Sequence, residues 1–141
     1  MSDEVVLPNL VRRESRSLLQ YIRESYPWSQ TKDAPTRAKV IVAAEAEGEM
    51  LAQLGRLLQK RHIPMPGLGA YPTSFTSMNY VSLSFLIPRL VAAQRQSLTD
   101  LEHDVPQVHD EPTRELLRAF HELKRRHLVE LETLITPSKA A

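Results

Sequence analysis

The chain has 141 residues, 25% of them charged and 42% hydrophobic, with a formal net charge of +1. That length suits one domain with a real core, and the balanced charge gives no electrostatic case for nucleic acid. The absence of cysteine excludes disulfides, thiolate chemistry and Cys-based zinc. The N-terminal MSDEVVLPN lacks the basic and apolar regions of a secretion signal, so a cytoplasmic chain is expected. The most apolar run, Tyr80 to Ala93, is too short for a bilayer and carries Pro88 and Arg89, which argues against a membrane role.

The first periodic stretch predicts a helix over about 7–26, with Pro8 in its first turn and Pro27 ending it. Its stripe reads Leu7, Val11, Glu14, Leu18, Tyr21/Ile22, so Glu14 stands where an apolar residue belongs. A second helix is expected over 34–62, with Asp33 as N-cap and Pro35 in the first turn. Its stripe is Val40, Ala44, Glu47, Leu51, Leu54, Leu58, again with a carboxylate in mid-seam. Glu45 and Glu49 fall on the solvated side, and Gly48 weakens the local helix while allowing close approach.

Residues 63–78 (IPMPGLGAYPTSFTSM) hold three prolines and two glycines and predict a connection. Extended at about 3.3 Å per residue it covers roughly 50 Å, more than the length of a 20-residue helix. It can therefore run the length of a bundle and start the next helix at the far end, with Tyr71 and Phe75 as apolar anchors. A third helix is expected over 79–102, capped by Asn79 and kinked by Pro88. Its stripe is Tyr80, Leu83, Ile87, Leu90/Val91, Gln94, Leu98, Leu101. Asp110 then caps a fourth helix over 111–135, with the seam Leu116, Leu117, Phe120, Leu123, His127, Leu131, Leu134. Lys124 and Glu130 lie one turn to either side of His127. Each helix thus brings a polar group to one depth of the stripe, where burial requires pairing or a metal.

The second and fourth helices open alike, Asp33-Ala-Pro-Thr-Arg37 and Asp110-Glu-Pro-Thr-Arg114. Read as two copies of a helical hairpin, they align Glu47 with Lys124 and Met50 with His127. Four long helices, two short turns and one long crossover resemble the ferritin-like (rubrerythrin and bacterioferritin) superfamily. The resemblance implies an all-α four-helix bundle with a di-iron or di-manganese site at mid-height. One Glu would come from each of two helices and Glu-x-x-His from each of the other two. Glu14 matches the first Glu, and Gln94 stands in the place of its counterpart. Glu47-Gly-Glu-Met50 and Lys124-Arg-Arg-His127 stand in the two Glu-x-x-His positions. Glu14, Glu47 and His127 keep a ligand type, whereas Met50, Gln94 and Lys124 depart from the pattern.

A lysine ammonium at a bridging position repels a metal cation but pairs well with Glu14 and Glu47. Gln94 and His127 then complete a metal-free polar network. This predicts a non-catalytic binding or scaffold protein. In the alternative, Lys124 points outward and Glu14, Glu47, His127 and Glu130 hold one Fe, Mn or Zn ion, with oxidase or metal-handling chemistry. The other histidines share no ligand spacing, and no Gly-rich phosphate loop, nucleophile elbow or HExxH is present. Tyr26, Trp28, Tyr71 and Phe75 would close the bundle ends or form a protein-binding or homodimer face.

Overall fold

The computed structural model describes residues 2–25, 33–76 and 82–135. Among them the chain is all-α, with six α-helices, a 3-10 turn and no β-strand. The first leg of the structure is divided between α1 (Asp3–Ser15) and α2 (Leu18–Ser25). The single helix expected over 7–26 is therefore broken. At the break the Ser17 hydroxyl accepts from the Gln20 amide at 3.3 Å, offering the backbone a local cap. The start also lies earlier than expected. Asp3 and Glu4 occupy the first turn, where carboxylates favour the helix dipole, and Pro8 falls inside the helix.

The second leg, α3 (Ala34–Lys60), is the longest. It ends as His62 adopts a left-handed φ of 59° and the Ile63 amide returns to Leu58 O at 2.9 Å. Ile63, buried against the core, seals that end. The crossover contains one short helix, α4 (Thr73–Thr76). Tyr71 and Phe75 pin the crossover to Tyr21 of α2, with ring centroids 5.1 and 5.4 Å away.

The third leg, α5 (Leu83–Asp104), is capped by Ser82, whose hydroxyl accepts from the Phe85 amide. A 3-10 turn (Val105–Gln107) leads to α6 (Glu111–Thr133), and Asp110 caps α6 as expected. Its carboxylate accepts from the amide and the hydroxyl of Thr113 at 3.1 and 2.5 Å. The expected roles of Tyr26, Pro27, Trp28, Asn79 and Tyr80 fall on residues outside the described ones.

Two apolar clusters fix the chain directions. One joins Leu7 of α1, Leu58 of α3, Leu101 of α5 and Phe120 of α6. The other joins Ile22 of α2, Ala44 of α3, Leu86 of α5 and Leu131 of α6. The first leg and α6 therefore run from the first cluster to the second, while α3 and α5 run back. Because α3 ends and α5 begins at opposite ends, the crossover travels the length of the assembly. Helices α1 and α2 pack on α3 and α5, and α6 also packs on α3 and α5. The parallel helices α3 and α5 are not among these packed pairs and stand on a diagonal, as do the first leg and α6.

One carboxylate ties three ends of the structure together. Asp3 is buried and accepts from the His109 and Asp110 amides at 2.9 and 3.2 Å, with Arg61 Nη1 at 3.1 Å. Burial alone would raise its pKa, but the two amides and Arg61 together hold it below the ordinary 3.8. A carboxylate with a lowered pKa stabilises the fold above its ordinary value and loses that contribution as pH falls through the folded one. We expect Asp3→Asn to cost about 1.5–3 kcal/mol in urea unfolding at pH 7. The difference from the native chain should shrink progressively as the pH is taken below 3.8.

Candidate functional site

The two apolar clusters do not meet. Between them lies a layer of buried polar side chains, one or two from each leg: Glu14 of α1, Glu47 of α3, Gln94 and Ser97 of α5, and Lys124 and His127 of α6. All six are buried, and Lys124 is only 1% exposed. Each continues the inward stripe of its helix, so the apolar pattern delivers them to the centre although their chemistry disfavours burial.

Lys124 is the hub. Its Nζ lies 2.6 Å from Glu47 Oε1 and 3.1 Å from Glu14 Oε1, and 5.2 Å above the Phe120 ring. The ammonium donors thus meet two carboxylates and an aromatic face. Glu47 receives two further bonds on Oε2, from Gln94 Nε2 at 2.6 Å and His127 Nδ1 at 2.7 Å. An ionised carboxylate only accepts, so His127 carries its proton on Nδ1. Glu14 receives the Ser97 hydroxyl at 2.6 Å and Arg13 Nε at 2.9 Å. Arg13 in turn reaches Asp104 at 2.9 Å, so the layer is connected to a chain of charge at its rim.

These bonds cross both diagonals. Gln94 to Glu47 joins α5 to α3, and Lys124 to Glu14 joins α6 to α1. The pair aligned by the internal repeat, Glu47 and Lys124, meets at the centre. Met50, aligned with His127, is half-buried and packs against the first apolar cluster instead.

Electrostatically the layer is self-compensating. Two carboxylates face one internal ammonium and one guanidinium at the edge. Burial pushes the Glu47 carboxyl upward, but His127, Lys124 and Gln94 outweigh it and hold the pKa below the ordinary 4.5. Burial likewise depresses Lys124, and the fields of Glu14 and Glu47 reverse this, raising it above 10.5.

The polar cluster read from the sequence, Glu14, Glu47, Gln94, Lys124 and His127, is thus brought into one bonded network. Glu130 is not part of it. It is exposed and lines a surface groove of about 580 Å³ between α3 and α6, onto which the edge of His127 opens. The reading with Glu130 as a ligand required Lys124 to point outward, whereas Lys124 points inward. The residues do not fit the two-metal centre that the ferritin-like resemblance implies: an ammonium lies between the carboxylates that would bridge the ions. Among the described residues no group of three or more His, Asp or Glu is arranged to hold a metal ion.

Sequence reasoning missed Ser97 and Arg13. Ser97 lies three residues beyond Gln94 on the same helical face, a spacing that marks it as a neighbour of the layer. Nothing in the pattern marks Arg13, because its guanidinium reaches the layer from the edge. Compared with protein-family models, curated proteins and solved structures, the chain matches none.

Removing one partner from a buried ion pair typically costs about 3–5 kcal/mol, because the remaining charges stay buried. We expect that loss for Lys124→Met in chemical denaturation, and a smaller one when Glu14→Gln and Glu47→Gln accompany it. The native chain should also have a bounded range of stability. The raised Lys124 stabilises fully below 10.5 and loses its contribution as pH rises through its folded pKa. The lowered Glu47 stabilises above 4.5 and loses its contribution as pH falls through its folded pKa. Melting temperature against pH should therefore fall at both extremes, and Lys124→Met should abolish the alkaline share of that fall.

Proposed function

We propose that this chain is a non-catalytic bundle of ferritin-like architecture, acting as a binding or scaffold protein, in which an internal lysine replaces the metal centre. The observation that carries this reading is the position of Lys124, with its ammonium bonded to Glu14 and Glu47 at the meeting point of the diagonals. The order of the legs supports it, since a long crossover joins two parallel, diagonally placed helices.

The chemistry of the layer also favours a structural role. A general acid or base must exchange a proton with a substrate, and a nucleophile must reach one. Here every carboxylate oxygen is occupied by a donor from the protein, and the ammonium is enclosed. Of the layer, His127 and Ser97 reach the surface at an edge, and the Ser97 hydroxyl is committed to Glu14. The function then resides on the outer surface, where a second copy of the chain or another protein would bind.

Elemental analysis of the purified protein, with thermal melts in chelator and in added Fe(II), Mn(II) or Zn(II), tests this reading. The expected result is far less than one metal per chain and a melting temperature that none of these additions moves. A stoichiometric metal whose removal lowers the melting temperature would overturn it.

A further inference from the structure

A second region of the molecule holds arginines that no carboxylate pairs directly among the described residues. Most of the arginines have carboxylate partners; Arg13, Arg61, Arg95, Arg114, Arg118 and Arg125 all do. Along the first leg, however, Arg12, Arg16 and Arg23 form no ion pair among the described residues. Arg12 donates to the Gly67 carbonyl at 3.3 Å, and Arg23 donates to Gln20 Oε1 at 3.3 Å. Among the described residues Arg16 has neither kind of contact, and its Nε is buried with no hydrogen-bond partner. Orphaned buried donors are rare in folded proteins and call for a reason.

The break between α1 and α2 places Arg16 at the mouth of a cleft of about 750 Å³ bounded by α2, α3 and the crossover. That volume is in the range of small-molecule sites, roughly 300–1,000 Å³. Arg16 and Arg23 both line it. Room for Arg23 is made by Gly48 of α3, where a Cβ would lie 2.8 Å from Arg23 Nη1. The far wall is the crossover itself, turned at Gly69 with a φ of 69° and fastened by the Arg12 bond to Gly67. Leu51, Leu68 and Tyr71 supply apolar surface. Glu24 and Glu45 also line the cleft, yet neither forms an ion pair with either arginine among the described residues, and Glu24 accepts the Tyr71 hydroxyl at 2.7 Å. Apart from the Arg23 bond to Gln20 and the buried Arg16 Nε, the donors of both guanidiniums therefore have no carboxylate partner among the described residues.

We propose that this cleft binds a small organic oxyanion, whose phosphate or carboxylate headgroup is held by Arg16 and Arg23 while its apolar part lies on Leu51 and Leu68. A guanidinium suits either headgroup, because its planar donors match two oxygens at once. The site is independent of the buried polar layer and gives the scaffold a ligand.

Isothermal titration of the full chain with inorganic phosphate and with hexanoate, each against sodium chloride at equal ionic strength, tests the proposal and separates the two headgroups. Saturable binding of either probe, beyond what chloride gives, is expected. The affinity should fall at least about tenfold in Arg16→Gln, as for a lost charge-assisted hydrogen bond. Arg16 has no ion pair to break, so this variant should melt as the native chain does. If it does not, Arg23→Gln provides the same comparison. Gly48→Ala, which displaces Arg23, should also weaken binding. Absence of binding by both probes, or equal affinity in the native chain and the folded arginine variant, would overturn the proposal.

Discussion

A single ammonium shared by two carboxylates holds the centre of this molecule. Lys124 contacts a carboxylate on each of two other legs, and Gln94 completes the circuit from the fourth. The cost of removing these groups from water is large, and the mutual attraction offsets it only in good geometry with the remaining oxygens satisfied. Here that condition is met, because both oxygens of both carboxylates have donors. The layer contributes to uniqueness as well as to stability. Sliding α6 by one turn, about 5.4 Å, would drive Lys124 into one of the apolar clusters and leave Glu14 and Glu47 facing each other. Apolar contacts alone tolerate such a slip far better, since one leucine resembles the next.

The surrounding structure can be understood as support for that centre. The apolar clusters above and below exclude water from the layer and fix the directions of the legs. At one end Asp3 gathers the start of α1, the end of α3 and the α5–α6 turn. At the other, the Tyr21–Tyr71–Phe75 rings clamp the crossover to α2. Both fastenings act at the ends, where helices fray, and leave the middle to the polar bonds.

How much of this was legible in the sequence depended on periodicity. Glu14, Glu47, Gln94 and His127 are legible because each interrupts an apolar stripe, and a stripe reports direction reliably over several turns. Lys124 lies beside the expected seam and is marked only by the internal repeat and the family resemblance. Glu130, a ligand only in the alternative reading, lies outside the layer for the converse reason. It is three residues from His127, but that step turns it away from the seam and into solvent. The break at Arg16 and Ser17 is invisible in the sequence because the apolar pattern passes through it, and the Ser17 hydroxyl that meets the Gln20 amide there leaves no mark on that pattern. Asp3 escaped notice because its partners, the His109 and Asp110 amides, are backbone groups over a hundred residues away, and no composition rule announces them. Arg16 was equally silent, since an unpaired arginine is defined by what fails to approach it in space.

The route of the crossover has a kinetic consequence. The bonds of the central layer span large sequence separations: 47 residues for Gln94 to Glu47, 77 for Lys124 to Glu47 and 83 for Ser97 to Glu14. Neither hairpin can form any of these three bonds alone, because each joins residues on opposite sides of the crossover. Ordering the layer therefore waits for the two halves to dock, and loop closure must precede the contacts that reward it. Until then Lys124 remains hydrated, and the half that carries it exposes one face of its apolar stripe. Burial of that ammonium between Glu14 and Glu47 is therefore tied to docking of the two halves and to neither half alone.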